Sequence, residues 1–529
     1  MHSHYVTATL LTLAMSPLAA MDSHIVGPRA LGMGGTGTAA ADDQTASYWN
    51  PAVYGFFSRT REGDAKLASD PNFVGRKDWG VGLADVGAQA EIRGNLADWV
   101  QQLADGNLAT LDNLGSGAGS PNDLKSIMAA LDMINRFTPS RDTVNIAGNV
   151  GILNTRVLHV GLGFRQFAEG VVSVADLDKI NIGFGTSTGA VLGDDILATA
   201  TPDGYTPGHV PTLITGQQAT DLATALGGSN PTEAVNRLDY AAGQAGLTQA
   251  DVDSLLAGGS GLLYNAVAAS SNPALAFDNN QTAAFTAGYT VAEVPLTVGW
   301  ALNDHLSVGG NLKLMIGRVA GAKVRFLSDN NNLSDLLHDA FADAHQTVTA
   351  GVDLGFMARC SWAQGGLTVR NLNRPILKGG TYKDADGEDF TVSDVALEPQ
   401  VAIGAAVYPW ETVCLTADLD LTENQTRIST SSGRPLAAGI DPTLTIEYAT
   451  RRLGVGAEWN AFRFLALRGG WSKDLAESET GMMIHGGLGL NFWAVRLDLA
   501  GAVSTERVEV DGSEVPRAFN VGAGLSVDF

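Results

Sequence analysis

Residues 519–529 read FNVGAGLSVDF, and the alternation has no break. Phe519, Val521, Ala523, Leu525, Val527 and Phe529 fall on one face, with Asn520, Gly522, Gly524, Ser526 and Asp528 on the other. Successive side chains of a strand point to opposite faces, so this stretch predicts a strand with one apolar side and one small or polar side. Its apolar side must meet either a protein core or lipid.

The same grammar recurs upstream. Residues 305–317 set Leu306, Val308, Leu312, Leu314 and Ile316 against Ser307, Asn311 and Lys313. Residues 347–359 set Val348, Val352, Leu354 and Phe356 against Thr349, Asp353 and Arg359, and residues 412–422 set Leu415 and Leu419 against Asp418 and Asp420. Segments 452–459, 463–471, 483–492 and 494–503 behave alike, and further strands are predicted at 79–91, 143–153, 156–167, 171–184, 285–300, 318–327, 366–372 and 400–410. Together they predict about fourteen strands, several near the ten or so residues that a tilted strand needs to cross a bilayer. A soluble sandwich would turn the aliphatic face inward, whereas a membrane barrel turns it outward and puts the charges in its lumen. Periodicity alone leaves both open.

Other features of the chain weigh on that choice. Residues 8–20, ATLLTLAMSPLAA, form an apolar stretch ending in small residues, which reads as an export signal spanning residues 1–20 and is too short to cross a membrane. Charged residues make up only 17% of the 529, and glycine reaches 63, which suits tight turns and close strand packing. The net charge of −23 opposes a nucleic-acid partner. Two cysteines, Cys360 and Cys414, form no CxxC and are read as unlinked strand residues, with a disulfide between them as the alternative. The expected fold is therefore all-β: a transmembrane antiparallel β-barrel over residues 61–529, in the cell outer membrane.

Two segments depart from the strand rhythm. In the first, about 95–138, Ser120 and Pro121 can start a helix whose Leu124, Ile127, Met128, Leu131 and Ile134 recur at helical spacing. The second, about 186–280, is rich in alanine, with helix starts at Asn230-Pro231 and at Thr248, three before Asp251. It reads either as a partly helical insertion or as a long extracellular loop.

Near the amino terminus, residues 27–35 read GPRALGMGG, followed by Ala40-Ala41-Asp42-Asp43 and by SYWNPA at 47–52. The GxGxxG within 32–37 lacks the preceding strand and following helix of a dinucleotide site. The wider stretch resembles the amino-terminal segment of FadL-like outer-membrane proteins. TVRNLNRP at 368–375 and the segment 453–474 resemble the branch labelled plasmid-transfer-operon TraF, and the final strand to Phe529 resembles the terminal strand shown to the barrel-assembly machinery. The plasmid protein sharing that label is thioredoxin-like, so no conjugation role is read from it.

The resemblance implies an N-terminal plug over residues 21–60, inside the barrel. Ligand-passage candidates on it are Arg29, Leu31, Gly32, Met33, Gly34, Gly35, Gly37, Asp42, Asp43, Trp49, Asn50 and Pro51, with Asp42 and Asp43 expected to face lumenal arginines. Phe519, Leu525, Val527 and Phe529 are the expected assembly signal. A purely structural plug is the alternative.

Chemistry of other kinds finds little footing. The nine histidines are scattered, with His159, His305 and His485 in strand-like segments, and no GxSxG elbow occurs. The run 384–389, DADGED, lacks a full calcium-loop spacing and reads as a turn. Neither catalytic residues, cofactor nor metal is expected. Trp300, Tyr408, Trp410, Trp459, Trp471 and Trp493 would suit interfacial girdles. The expected function is passive transport or binding of small hydrophobic molecules, with outer-membrane lipid around the barrel. The alternative is a non-transporting scaffold or a secretion- or conjugation-associated protein with an envelope partner.

Overall fold

Side chains sort by chemistry along the long strands of the computed structural model. On Leu306–Arg325, Val308, Leu312, Leu314 and Ile316 are exposed, whereas Ser307, Asn311 and Lys313 are buried. On Gln346–Arg359, Val348 is 61% exposed and Asp353 3%. A soluble sandwich would reverse both, so the aliphatic face is the lipid face and the polar face lines a lumen. The structure describes residues 24–57, 79–94, 96, 123–184, 191–199, 201–257, 261–276, 279–325, 344–433, 436, 438–461, 464–492, 494–510 and 513–528. The export segment, the Ser120-Pro121 helix start, Trp493 and Phe529 lie outside these residues.

Fourteen antiparallel strands close a ring. They are β1 (Trp79–Arg93), β2 (Thr143–Val157), β3 (Val160–Leu162, resumed after Gly163 by Phe164–Ala175), β4 (Ala283–Ala301), β5 (Leu306–Arg325), β6 (Gln346–Arg359) and β7 (Ala363–Arg370). The ring continues with β8 (Gln400–Trp410), β9 (Val413–Asp420), β10 (Arg452–Ala461), β11 (Leu465–Asp474), β12 (Met482–Phe492), β13 (Val495–Ser504) and β14 (Ala518–Asp528). Each strand pairs with the next, and β14 returns to β1 with Asp528 opposite Gly80 and Phe519 opposite Ala90. Closure leaves no unpaired edge, the condition for strands to cross lipid.

The two rims differ. Short turns join β2 to β3, β4 to β5, β6 to β7, β8 to β9, β10 to β11 and β12 to β13, while the longer connections from one barrel strand to the next leave and re-enter the ring at the opposite rim. Exposed Trp79, Trp300, Trp362, Trp410, Trp459 and Phe492 ring the short-turn rim, where amphipathic aromatics anchor a barrel in the interface. Trp471 lies toward the long-connection rim.

The upper parts of β4 and β5 outrun the bilayer. There the alternation gives way to burial on both faces, and Phe285, Tyr289 and Val319 pack with Tyr382, Phe390 and Ile428 of a four-stranded sheet. That sheet comprises Gly380–Lys383, Asp389–Val392, Asn424–Ser432 and Thr443–Thr450. Between its first two strands, Asp384 accepts hydrogen bonds from Asp386 N at 3.0 Å and Glu388 N at 2.9 Å, so the DADGED run is a self-bonded turn.

Helices occupy two of the long connections, β1 to β2 and β3 to β4. These are α3 (Asp123–Arg136), α4 (Leu192–Thr199), α5 (Gly216–Leu226), α6 (Pro231–Gln244), α7 (Gln249–Leu255) and α8 (Leu262–Ala269), numbered after two short helices of the plug. Leu124, Ile127, Met128, Leu131 and Ile134 of α3 are buried against Leu238 of α6 and its neighbours. Asn230 caps α6 through Glu233 N, and Thr248 with Asp251 forms a capping box on α7.

Several sequence-based boundaries need correction. Segment 156–167 is not one strand: β2 ends at Val157 and the chain reverses through Leu158, with φ 51°, and His159. Nothing in the apolar run marks that turn. Segment 171–184 stops being strand at Ala175, because Asp178 accepts from Ile180 N and Asn181 N, at 2.9 Å each, and turns the chain. Segments 305–317 and 318–327 are the single strand β5. Cys360 sits exposed in the β6–β7 turn rather than in a strand; Cys414 is buried on β9, and both are free thiols. His159 and His305 likewise sit in turns, and only His485 lies in a strand.

Candidate functional site

The chain from 24 to 57 runs inside the ring and is buried almost throughout. Pro28 opens α1 (Pro28–Gly32), its fixed φ suiting a first helical turn. Gly34, with φ 74°, then bends the segment against the wall, where a side chain would lie 2.5 Å from Val455 O and 2.7 Å from Trp471 O. After α2 (Ala46–Trp49), Asn50 caps a 3₁₀ turn, Pro51–Phe56, by accepting from Ala52 N at 3.0 Å. The segment is a plug whose backbone needs the wall glycines: a Cβ on Gly470 would meet Gly34 N at 2.5 Å and Met33 C at 2.7 Å.

Charged side chains pin the plug. Arg29 donates from Nε to Glu458 Oε2 at 2.9 Å and from Nη2 to Oε1 at 2.8 Å. Its Nη1 reaches Asp42 at 2.5 Å and Ala40 O at 3.1 Å. Glu458 also accepts from Arg468 Nε at 2.7 Å, and Arg468 Nη1 donates to Asp498 at 2.6 Å, so charges alternate from plug into wall. Such two-pronged guanidinium–carboxylate pairs are directional, and in a water-poor lumen each charge depends on its partners.

Hydrogen bonds to the plug backbone and contacts with its rings complete the fit. Asp418 accepts from Gly37 N at 2.8 Å and Thr38 N at 2.7 Å. Asn50 Nδ2 donates to Thr38 O at 3.0 Å and Phe356 O at 3.1 Å, and Thr368 Oγ1 donates to Trp49 O at 2.8 Å. The His485 ring bridges Leu31 O at 2.7 Å and Ser472 Oγ at 2.8 Å. Arg370 lies over the Tyr48 ring at 4.4 Å and Arg359 over Phe56 at 3.9 Å.

Above the plug, toward the rim of long connections, lies a cavity of about 110 Å³. Ile25 supplies the plug's share of its surface. Ala147, Met483 and Ala518 add apolar patches from the wall, and Glu91, Asn145, Glu169, Arg452, Asp474 and His485 add polar ones. The volume is of the order that holds a single aromatic ring.

The family model described as F plasmid transfer operon, TraF, protein matches residues 47–420. The chain belongs to this TraF family. The matched region begins in the plug and ends with the last residue of β9. No curated protein matches the sequence. Among solved structures it is similar to a Pseudomonas aeruginosa FadL homologue at 10% identity, covering 97% of this chain and 100% of that one with a TM-score of 0.43. It is also similar to the Pseudomonas putida toluene transporter TodX at 10% identity, 97% and 99% coverage and TM-score 0.41. The CymD monoaromatic hydrocarbon channel gives 11% identity, 95% and 97% coverage and TM-score 0.42.

In this TraF-family chain the plug residues singled out from sequence are packed together beneath the cavity. Leu31 and Met33 are 2% and 1% exposed, Met33 lying with Ala39, Ala406 and Cys414. Gly32 lies against Gly487 and Arg468, Gly35 beside Ile25 and Arg452, and Gly37 under the Trp49 ring. Trp49 donates to Val26 O at 2.8 Å, and Pro51 abuts Gly309. Asp42 pairs with Arg29 of the plug, and its backbone carbonyl accepts from lumenal Arg156 at 2.8 Å. Asp43 accepts from Thr45 N at 2.8 Å within its own turn. On β14, Phe519 and Leu525 point to the lipid side at 47% and 37% exposure, and Val527 is half-buried.

Sequence reading put Asp418 and Glu458 on the lumenal face but singled out neither them, Arg468 nor the cavity residues as partners of the plug. Their signal was the inward, polar half of each strand alternation, which marks lumenal positions without saying which ones meet the plug.

Proposed function

We propose that this chain is an outer-membrane barrel that binds small molecules with an apolar body above its plug and admits them passively. The observation that carries this reading is the cavity between Ile25 of the plug and Ala147, Met483 and Ala518 of the wall. Concave, partly apolar surface with a few converging polar groups is the usual form of a small-molecule site. Residues 1–20 would export the chain, and Phe519, Leu525, Val527 and Phe529 would present its last strand for assembly. Passage requires the plug to shift, so Arg29 to Gly37 and Asp42 to Pro51 act as the gate rather than as the resting binding surface. No catalytic step is assigned.

The test is flux of labelled toluene into liposomes carrying the full chain or a form lacking residues 27–52. Gradient-driven flux that rises on deletion supports the reading; no binding and no change in permeability sinks it. A scaffold role draws on the helices α3 to α8, which share a core of their own. Loss of an envelope partner on removing residues 186–280, with flux intact, would favour it.

A further inference from the structure

Thr443–Thr450 is an outer strand of the four-stranded sheet above the ring, paired on one side with Asn424–Ser432 and on the other with no described strand. Ser432 N donates to Pro442 O at 2.7 Å, which sets the phase of the ladder. In that register Leu444, Ile446 and Tyr448 turn their backbone groups toward Asn424–Ser432, and Thr443, Thr445, Glu447 and Ala449 turn theirs outward. Both ends of the outward row are engaged. Thr443 N donates to Asp441 Oδ1 at 2.8 Å, and at the lower end Arg451 O accepts from Leu475 N at 2.7 Å, where β11 has just ended at Asp474. Between them the outward N–H and C=O groups of Thr445, Glu447 and Ala449 have no hydrogen-bond partner among the described residues. The strand holds no proline and its register runs without a bulge, so this edge is an open template for another strand.

We infer that this edge takes up an extended segment of a partner protein as a fifth strand, antiparallel to Thr443–Thr450 and in line above β11. A row of alternating N–H and C=O groups is matched by the backbone of an extended chain, and about five residues suffice to meet the three outward ones. Residues opposite each other in a ladder share a face, so the partner residue opposite Glu447 lies beside its carboxylate. Arg427 stands directly across the ladder on the other side of Glu447, at 4.0 Å with both side chains exposed, and a base on the open side continues that alternation of charge. The partner residues in between fall on the face of Leu444 and Ile446, which are 9% and 1% exposed, and are apolar. A second copy is the poorer occupant, because each chain carries −23 and both edges present the same acid.

The probes are two capped pentapeptides titrated into the full chain in detergent: threonine, valine, lysine, valine, threonine, and the same sequence with glutamate at its centre. The central residue is the one expected opposite Glu447. The lysine peptide should bind about 3- to 10-fold more tightly than the glutamate peptide, and the order should reverse in Glu447→Lys. N-methylation of the central lysine, whose N–H faces the edge, should weaken binding about 10-fold, whereas N-methylation of the valine before it, whose N–H faces away, should change it by less than about 2-fold. Ala449→Pro removes one outward donor and leaves the ladder to Asn424–Ser432 intact, so it too should weaken the lysine peptide about 10-fold while keeping the heat-modifiable band. If that variant does not fold, the two N-methylated peptides decide the question on the parent chain. No binding of the lysine peptide, equal loss on N-methylation at both positions, or unchanged affinity in folded Ala449→Pro overturns the inference. Dimerisation of the full chain that Ala449→Pro abolishes would make a second copy the occupant and overturn the choice of partner.

Discussion

Arg29 of the plug and Glu458 of β10, 429 positions apart, are joined by two parallel hydrogen bonds of 2.9 and 2.8 Å. Glu458 is shared with Arg468, so removing it takes a carboxylate from two buried guanidinium groups and leaves each with one, Asp42 for Arg29 and Asp498 for Arg468. Glu458→Ala is expected to cost about 3–5 kcal/mol, the scale for breaking a buried pair from one side. Because the ring's ladder is untouched, the loss should fall on the plug. Hydrogen exchange would check this: faster exchange at residues 28–40 with β11 and β12 protected is the expected pattern.

Adjacent glycines on β11 give a sharper contrast. A Cβ on Gly470 meets the plug backbone at 2.5 Å, whereas one on Gly469 meets nothing within 4 Å. Gly470→Ala should therefore displace the plug at a cost of about 1–3 kcal/mol, and Gly469→Ala should be nearly neutral. Thermal melting of both variants in the same detergent tests the pair.

The lipid face makes a third prediction. Leu312 is 58% exposed in the aliphatic band of β5, and Lys313 beside it is buried between Glu293 at 3.3 Å and Asp353 at 3.1 Å. Leu312→Arg should destabilise the barrel by about 2–4 kcal/mol if it lies near the bilayer midplane, though its neighbour is already a cation. Urea titration of barrel refolding into vesicles measures the effect. Equal tolerance of charge at both positions would contradict the assigned faces.

Outside the membrane, the capping box of α7 carries a pH signature. Burial alone would raise the Asp251 carboxyl, but hydrogen bonds from Thr248 and the nearby Arg136 outweigh it and hold it below its usual range. A carboxylate depressed in the folded state stabilises above its unfolded pKa of about 4 and loses that contribution as pH falls through the folded value. Thr248→Ala should therefore cost about 1 kcal/mol at neutral pH and less in acid. Exchange protection across 249–255 at the two pH values checks it.

Much of the ring was legible because each membrane strand carries two chemistries at once. β5 and β6 put aliphatics on every second residue and Lys313 or Asp353 between them, and lipid outside a polar lumen is the arrangement that leaves those aliphatics exposed. Asn424–Ser432 was passed over because NQTRISTSS offers Ile428 as its single large apolar side chain, and its burial comes from the neighbouring sheet. The Leu158–His159 reversal carried no turn residue; its His159 ring meets Tyr54 O of the plug at 3.1 Å, a tertiary contact invisible in the local run. The site suffered the same blindness. Arg29 stood out through its glycine-rich setting, but Glu458 looked like any lumenal acid.

The most direct test of a plug that gates a small-molecule barrel is toluene flux into liposomes through the full chain and through Glu458→Ala, at matched amounts of heat-modifiable barrel. The expected result is a slow, gradient-driven rate in the parent that rises several-fold when the Arg29 contact is cut. An identical rate in both, or none in either, would contradict it.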